Sequence, residues 1–401
     1  MSAPAEKARF SIVCVSPQAW GTDLPTNRQQ IMRRAARRGH EVLFVESGSF
    51  LWRDASRILR HPSRELHSRL AGELVEGGIR VRSALNVVPW GKKYELASRF
   101  NFGVTAGMLR RAVKRLPPPT VLWIYDPCAV SLIGKLGETF AVYDCVDDYA
   151  EQYAPDPRRM ALVAAADKEV GRRSEIVFAT TEPLAERHRQ ANSKTYLVSN
   201  AADYPHFAPA ANRSLAAPEV RELLRPVIGF AGNLTAGKVD FTMLRAVAAE
   251  RPRWTLLLIG PARPGAEDEV NRLAELPNVR WLGWKAYQEL PRYVAAFDVG
   301  LCPYIASAYM RNVFPLKVYE YLAAGKPVVA SGTPSLSGME PDVVVVDGAD
   351  ALVRAVETAL DRSTAADVER RMTLAARNTW EGRTERLLTL VADELEGRAP
   401  A

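Results

Sequence analysis

The sequence is poor in cysteine and histidine, and neither residue is spaced as a metal site or a disulfide framework requires. It has four cysteines and five histidines in 401 residues. No C-x-x-C pair occurs among Cys14, Cys128, Cys145 and Cys302, and the histidines show no metal-ligand spacing. We therefore expect reduced core thiols in a cytoplasmic protein, with no disulfide and no metal site.

Long apolar runs are also missing. No stretch of about 18 apolar residues occurs, so the sequence predicts no membrane-spanning helix. The first ten residues, MSAPAEKARF, lack the apolar core of a signal peptide. Hydrophobic residues make up 47% of the chain and charged residues 25%, as in globular proteins. At this length we expect two domains rather than a single core.

The loop after the first strand lacks the glycine fingerprint of dinucleotide-binding folds. The apolar run Phe10–Ser16 predicts a strand, and the following loop has one glycine, Gly21, and no G-x-G-x-x-G. This argues against a nicotinamide-binding first strand. A helix from Thr26 to Arg38 and a strand at Glu41–Ser47 come next, and this strand–helix–strand order predicts an α/β fold with a parallel sheet.

The net charge of +7 is concentrated in one part of the chain. From Arg28 to Arg115 there are 19 lysines and arginines against 7 acidic residues, a surplus of 12, so the other residues sum to −5. A basic surface of this kind suits an anionic membrane, a phosphate-bearing acceptor or nucleic acid, and it is equally typical of a solvated face. No aromatic-basic RNA motif is present, which argues against nucleic acid.

Two basic segments that also carry apolar residues, 50–70 and 92–116, are candidates for membrane contact. Either could lie on an anionic bilayer, with Trp52, Trp90 or Phe102 at the interface. Helices of this composition more often flank a sheet, and both interpretations stay open.

The stretch Phe314–Ser331, FPLKVYEYLAAGKPVVAS, predicts a helix followed by a buried strand. Pro315 suits the first helical turn and Gly325 ends the helix. Lys317 and Glu320 are three residues apart and share one face beside the helix N-terminus. The N-terminus and the lysine favour an anion, and the glutamate can accept two hydroxyl hydrogen bonds. The pair can therefore hold a phosphate and a sugar diol together, or it is a solvated ion pair on an ordinary helix.

This stretch resembles the donor-nucleotide motif of glycosyltransferases with the GT-B fold, especially glycosyltransferase family 4 (group 1). In that motif a glutamate is followed, after seven residues, by a second glutamate and then by Ala-Gly-x-Pro-Val-Val. Glu320 matches the second glutamate, which by the resemblance binds the ribose hydroxyls. Asparagine occupies the place of the first glutamate, so the resemblance implies that Asn312 lies at the donor sugar or its phosphate.

The segment Pro226–Asp240, PVIGFAGNLTAGKVD, resembles the family's strand, Gly-Arg-Leu turn and lysine, whose arginine and lysine hold the donor diphosphate. Lys238 matches the lysine, whereas Asn233 stands where the arginine is expected. The resemblance implies that Lys238 and Lys317 stabilise the charge developing on the leaving diphosphate, with Lys317 compensating for the missing arginine.

Further donor contacts are implied by the resemblance of Val279–Tyr304 to the family's strand, glycine loop, short helix and strand. By that match the backbone of Trp284 and Lys285 contacts the nucleotide base. Arg311 lies in the loop before the Lys317 helix, near the expected donor sugar.

Two apolar strands, Thr120–Asp126 and Phe140–Tyr149, end in carboxylates. Residues just past the ends of parallel strands face the ligand crevice, so Asp126, Asp147 and Asp148 lie where an acceptor hydroxyl could meet a base. Aspartates also begin turns and helices, which is the alternative for each of them. We favour Asp147, because related transferases carry an aspartate at the end of the equivalent strand.

The resemblance covers nearly the whole chain and implies a GT-B architecture, with two doubly wound Rossmann-like α/β domains facing an interdomain cleft. Residues 1–205 are expected to bind the acceptor, residues 206–378 the nucleotide sugar, and residues 379–401 to form a helix that crosses back to the first domain. The segment Ser199–Phe207, SNAADYPHF, resembles the N-G-V-D-x-x-x-F linker of the family.

The loop after the first strand faces the cleft in GT-B enzymes. By resemblance, Trp20, Gly21 and Thr22 are therefore cleft candidates, or they are parts of an ordinary surface turn.

The implied function is transfer of a sugar from a nucleotide-sugar donor to a lipid-linked, polysaccharide or small-molecule acceptor, without a metal or other cofactor. Family frequency favours a UDP-sugar and retention of anomeric configuration. Inversion would need a base, with Asp147 or Asp126 as candidates. A cytoplasmic enzyme of bacterial polysaccharide or glycolipid synthesis, peripheral on the inner membrane face, is the expected setting. A catalytically silent GT-B fold that docks on membranes and a sugar-nucleotide epimerase are the alternatives.

Overall fold

A computed structural model describes residues 9–21, 25–47, 73–88 and 93–398. The chain divides into two compact units, the first made of Met1–Val198 with Arg383–Ala401 and the second of Ser199–Gly382. Each unit is a mixed α/β body built on its own sheet. The α/β class and the two Rossmann-like domains expected from the sequence are confirmed.

The first unit contains a sheet with the strand order β3-β4-β2-β1-β5-β6-β7-β8. Its neighbours are parallel except β3 and β4, which are antiparallel. Helices cover both faces, so the central strands are apolar throughout rather than alternating. The strands are β1 Ser11–Ser16, β2 Val42–Glu46, β3 Glu73–Leu74, β4 Arg80–Ser83, β5 Thr120–Ile124, β6 Phe140–Cys145, β7 Ile176–Ala179 and β8 Thr195–Leu197.

The helices of the first unit follow the strands they connect. Thr26 and Gln29 form a capping box at the start of the first helix, where the sequence places it. The helices are α1 Asn27–Arg37, α2 Glu95–Val113, α3 Pro157–Arg173 and α4 Glu182–Arg189.

The second unit contains a parallel sheet with the order β11-β10-β9-β12-β13-β14. Successive strands are added outward on one side from β9 to β11 and on the other side from β12 to β14. This reversal of strand order between β9 and β12 creates the kind of switch point where parallel α/β sheets bind ligands. The strands are β9 Val227–Ala231, β10 Thr255–Ile259, β11 Val279–Trp281, β12 Val299–Pro303, β13 Val328–Ser331 and β14 Val343–Val345.

The helices of the second unit include several of only one turn. One of these, α10 (Ala308–Arg311), immediately precedes α11 (Leu316–Ala323), the helix that carries Lys317 and Glu320. The helices are α5 Tyr204–Phe207, α6 Pro218–Arg221, α7 Phe241–Glu250, α8 Glu267–Ala274, α9 Leu290–Val294, α10 Ala308–Arg311, α11 Leu316–Ala323, α12 Ala349–Asp361 and α13 Ala365–Ala376. The last helix, α14 Trp380–Glu396, begins at the end of the second unit and belongs to the first unit from Arg383 onward.

The boundary between the units lies earlier than the expected 205/206. The side chain of Asn200 donates to the carbonyl of Phe314 at 2.7 Å, and Phe207 is fully buried in the core of the second unit. The linker-like motif therefore packs as part of the second unit. At the other end the division falls at 382/383 rather than 378/379, because Ala202 pairs with Thr379 within the second unit.

The last helix, α14, supplies a buried cation to the first unit. Arg383 lies 3.3 Å from Asp144 and also donates to the carbonyl of Val198. Both charged side chains are almost completely buried, and burial raises the pKa of Asp144 and lowers the pKa of Arg383. In such buried pairs, removal of one partner typically costs about 3–5 kcal/mol, because the other charge is left uncompensated.

Candidate functional site

Helix α11 begins beside the carboxyl ends of β9 and β12, where it presents Lys317. The helix follows Pro315, whose φ of −67° sets the approach of the chain. Val318, Tyr321 and Leu322 bury one face in the core of the unit. Lys317 and Glu320 are each only half-buried, so this short helix holds both side chains at the edge of the core.

The ammonium group of Lys317 is held in place by aromatic residues. It donates a hydrogen bond to the hydroxyl of Tyr304, and it lies 4.9 Å from the centre of the Phe230 ring. Burial lowers the pKa of Lys317, but attraction to Tyr304, Cys302 and Glu320 outweighs it, so the pKa lies above its usual value. Lys317 therefore stays charged and preorganised for an anion.

Glu320 is a carboxyl group with an unusual protonation equilibrium. Burial raises its pKa to about 7, while Lys317 opposes this shift and Asp203 adds to it. Among the described residues no side chain or backbone group donates a hydrogen bond to its carboxylate. Its oxygens can therefore accept two hydroxyl groups of a ligand.

The loop after β9 carries the residues that resemble a diphosphate-binding turn. Asn233 accepts a hydrogen bond from Arg263 at 3.0 Å, and Lys238 is exposed with its ammonium 4.4 Å from the centre of the Tyr309 ring. A Cβ atom built on Gly232 would lie 3.0 Å from the ammonium of Lys317. The turn after β9 and Lys317 are therefore direct neighbours, as the family resemblance implies.

The residues expected near the donor sugar differ in exposure. Ser307 caps α10 by accepting from Met310 at 3.1 Å. Arg311, at the end of that helix, is exposed, whereas Asn312 is 9% exposed and donates weakly to the carbonyl of Ala308. Asn312 thus has little surface to offer a sugar in this conformation, while Arg311 is accessible.

The residues expected near the nucleotide base lie after β11. The side chain of Trp284 is 53% exposed. Lys285 forms an ion pair with Glu219 at 2.7 Å, and its ammonium lies 4.9 Å from the centre of the Tyr293 ring. The side chain of Lys285 is therefore engaged within the protein. Only its backbone is available for the contact with the nucleotide base that the family resemblance implies.

The first unit contains a cavity of about 560 Å³ at the carboxyl ends of its central strands. Its lining combines charged, amide and aromatic side chains, a mixture suited to a hydroxyl-rich ligand. Arg28, Glu46, Asn101, Asp126, Asp147, Tyr149 and Arg159 are among the lining residues.

The three candidate carboxylates of the first unit are in different situations. Asp126 caps a 3₁₀ helix by accepting from the backbone of Cys128 at 3.0 Å. Asp148 is buried and paired with Arg187 at 2.6 Å. Asp147 lines the cavity and is half-buried. Asp148 is therefore the least available to a substrate, and Asp126 already has a structural role.

Two of the cleft candidates can be described. Trp20 is 8% exposed, packs edge-on to Phe44 and donates its backbone N–H to Glu46 at 2.8 Å, so its side chain belongs to the core. Gly21 is exposed. Thr22 lies outside the described residues, as do Trp52 and Trp90.

Arg28 is a cavity residue that the sequence analysis did not single out. It is 3% exposed and donates to the hydroxyl of Tyr149 at 2.5 Å and to Gln18 at 3.1 Å. Nothing in its local sequence distinguishes it from the other arginines of α1. Only the pairing of β1, β5 and β6 brings Tyr149 to it.

A buried group of potential metal ligands was also not evident from spacing. The ligand atoms of Cys145, Asp167 and His188 lie within 4.8 Å of one another. Asp167 accepts from the hydroxyl of Tyr143 at 2.5 Å and lies 3.3 Å from His188. Burial raises the pKa of Cys145 well above its usual value, so without a metal this residue is a neutral thiol. We interpret the group as a buried polar cluster.

The chain is similar in sequence to proteins described as glycosyltransferases. Residues 225–362 match the family described as glycosyl transferases group 1. The chain is 32% identical over 239 residues to TuaH of Bacillus subtilis (strain 168), a protein provisionally assigned as a teichuronic acid biosynthesis glycosyltransferase. This match covers 56% of the chain and 58% of the relative, so the chain spans less than two thirds of that relative's length.

Solved structures share the fold over almost the whole chain. HepE of Anabaena, in complex with UDP, has a TM-score of 0.68 at 15% identity, covering 96% of this chain and 100% of that one. Sucrose-phosphate synthase of Thermosynechococcus elongatus has a TM-score of 0.73 at 16% identity, covering 97% and 100%. The trehalose-phosphate synthase of Burkholderia xenovorans, in complex with glucose-6-phosphate, has a TM-score of 0.67 at 14% identity, covering 96% and 100%. The chain therefore has the GT-B fold, and its second unit matches the group 1 glycosyltransferases.

Proposed function

We propose that the chain is a glycosyltransferase that moves a sugar from a UDP-sugar to a hydroxyl-bearing acceptor. The observation that carries this proposal is the placement of Lys317 and Glu320, where a held ammonium and an unbonded carboxyl group lie beside the turn after β9. The match to the group 1 family covers the same segment, and HepE is a protein of this fold that binds UDP. The comparisons do not favour an epimerase or a silent binding protein.

The donor is proposed to bind to the second unit without a metal or other cofactor. Lys317 and Lys238 supply positive charge to the diphosphate, and Glu320 accepts the ribose hydroxyls. The acceptor is proposed to bind in the cavity of the first unit, with Asp147 beside its reacting hydroxyl. Lipid-linked sugars, polysaccharide ends and small molecules all carry suitable hydroxyl groups.

The first test is a thermal-shift panel with UDP, GDP, ADP and dTDP, followed by UDP release from several UDP-sugars with and without EDTA. A ligand at about 100 times its Kd stabilises a protein by roughly 2.7 kcal/mol, which such a panel detects. We expect a shift with UDP and turnover that survives EDTA. No shift with any of the nucleotides would contradict the proposal, and loss of turnover in EDTA would contradict metal independence.

We propose that transfer proceeds with retention of anomeric configuration and that Asp147 orients the acceptor. In a retaining reaction, Asp147→Asn should raise the KM for the acceptor with only a modest effect on kcat. An inverting enzyme would instead lose about 10²–10⁴-fold in rate with its general base. NMR analysis of the anomeric configuration of the product, together with the kinetics of Asp147→Asn, separates the two. An inverted product would assign the base role to Asp147 or Asp126.

We also propose that α2 touches an anionic membrane surface. Leu96 is 81% exposed and Phe100 is 54% exposed, one helical turn apart, and Arg99 and Lys93 flank them. Exposed apolar residues beside cations suit the interface of an anionic bilayer. Phe102, in contrast, packs on the core of the first unit rather than outward. None of the helices in the described ranges has both the length and the apolar character to cross a membrane.

Vesicle sedimentation tests this membrane proposal. The protein should sediment with vesicles that contain phosphatidylglycerol and not with vesicles of phosphatidylcholine alone. Leu96→Glu combined with Phe100→Glu should abolish the binding, whereas Leu224→Glu, at a residue 77% exposed in the second unit, should not. Equal sedimentation of the double variant and the wild type would contradict the proposal.

A further inference from the structure

The loop after β10 is fastened to the turn after β9, and this brings Arg263 to the donor-binding region. The backbone N–H of Leu234 donates to the carbonyl of Pro261 at 3.0 Å, and that of Arg263 donates to the carbonyl of Leu234 at 2.8 Å. The two loops approach so closely that a Cβ on Gly260 would lie 1.9 Å from the carbonyl oxygen of Gly232. This backbone pairing fixes the position of the Cα atom of Arg263 relative to the turn after β9.

The side chain of Arg263 is oriented by one neutral partner. Its Nε donates to the Oδ1 of Asn233 at 3.0 Å. Within the described part of the chain, no ion pair joins Arg263 to a carboxylate, and the residue is exposed. A guanidinium has five N–H donors, so four remain for another acceptor.

Cations converge around this turn. Gly232 is the direct neighbour of Asn233, and the Lys317 ammonium would lie 3.0 Å from a Cβ built on Gly232. Lys238 ends the same turn, which therefore gathers three positive side chains. Like charges repel, so their concentration at one turn indicates a site for an anion with several oxygens. Arginine suits phosphate oxygens because its planar fork can donate two parallel hydrogen bonds.

We infer that Arg263 contacts the diphosphate of the donor and that Asn233 is its positioning residue. This inference rests on the proposed function, because it concerns the same donor site. In this assignment the loop after β10 supplies the arginine that the turn after β9 lacks at position 233. The contact is made with phosphate oxygens only, so it should affect ligands with a diphosphate and leave nucleosides unaffected.

The test compares the affinities of UDP and uridine in the full-length protein. Arg263→Ala should raise the Kd for UDP about tenfold or more, as expected for a charge-assisted hydrogen bond, with the Kd for uridine unchanged. Arg263→Lys should lose part of the affinity, since it keeps the charge and loses the fork. Arg253→Ala is the control, because Arg253 is exposed just before the amino end of β10, opposite the end that leads to Arg263.

Asn233 is tested by a double-mutant cycle. If it acts only by holding Arg263, Asn233→Ala should weaken UDP binding in the wild type and cost nothing further in Arg263→Ala. Fully additive losses would overturn its positioning role.

The outcomes for Arg263 are distinct from those for the proposed function. Failure of the wild type to bind UDP would overturn the proposed function. Normal UDP binding by Arg263→Ala, or equal losses for UDP and uridine, would overturn the assignment of Arg263 to the diphosphate.

Discussion

Replacing Lys317 by alanine is expected to lower the kcat of sugar transfer by about 10²–10³-fold. In the proposed reaction the leaving UDP develops negative charge as the bond between the anomeric carbon and the phosphate oxygen breaks, and a preorganised donor aimed at that charge is typically worth this factor. The bond from Lys317 to Tyr304 and the nearby ring of Phe230 fix the ammonium before the substrate arrives. No reorganisation is then needed during the reaction.

The initial rate of UDP release from the preferred UDP-sugar measures this effect. Tyr304→Phe keeps the aromatic ring but removes the hydroxyl that accepts from Lys317, so it should show a smaller loss. Lys168→Ala, at an exposed position of α3, should match the wild type. If the rate of Lys317→Ala stays within about threefold of the wild type, Lys317 does not stabilise the leaving group.

Glu320→Gln is expected to weaken uridine binding by about 10²-fold at pH 8. Two hydrogen bonds from ribose hydroxyls to a carboxylate are each worth about 1.5–3 kcal/mol, and a neutral amide accepts them less strongly. Since the pKa of Glu320 is about 7, the affinity of the wild type for uridine should rise from pH 6 to pH 8 and then level off. The affinity of Glu320→Gln should be flat over this range.

Uridine is the right ligand for this experiment, because it lacks the phosphate groups that titrate near pH 6. 2′-Deoxyuridine provides a matched control, since it removes one of the hydroxyls that Glu320 is proposed to bind. The penalty for the deoxy ligand should be large in the wild type and small in Glu320→Gln. Equal penalties in the two proteins would contradict the ribose assignment.

The protonation of Glu320 also affects the stability of the protein, and this effect has the opposite pH dependence to that of uridine affinity. The folded pKa of Glu320 is raised above its unfolded value, so the folded state binds more protons between about pH 4.5 and pH 7. The free energy of unfolding contributed by this group therefore falls as the pH rises through that window and is constant above it. At pH 8, Glu320→Gln without ligand should be at least as stable as the wild type, which distinguishes lost binding from misfolding.

Much of this site could be predicted from the sequence because its key residues are local. Lys317 and Glu320 share a face at a spacing of three residues, which any helix enforces. Gly325 has a φ of +69°, as a helix-ending glycine commonly does. The apolar strands, each buried on both faces, likewise predict parallel sheets without further information.

The contacts that complete the site depend on which strands are neighbours. Tyr304 follows β12 and Arg263 follows β10, so neither could be assigned to the turn after β9 without the order of the second sheet. Arg28 and Tyr149 are 121 residues apart and meet for the same reason in the first sheet. Trp20 is the reverse case. The sequence places it in a cleft loop, but it does not reveal the contacts with Phe44 and Glu46 that hold this residue in the core.

The return of the last helix to the first unit affects the order in which the protein can mature during synthesis. Asp144 and Arg383 are 239 residues apart. At ribosomal rates of about 5–20 residues per second, Arg383 is synthesised roughly 10–50 s after Asp144. The second unit is continuous in sequence and is finished within this interval. The later-synthesised unit can therefore complete its folding first, while the earlier one waits for the end of translation.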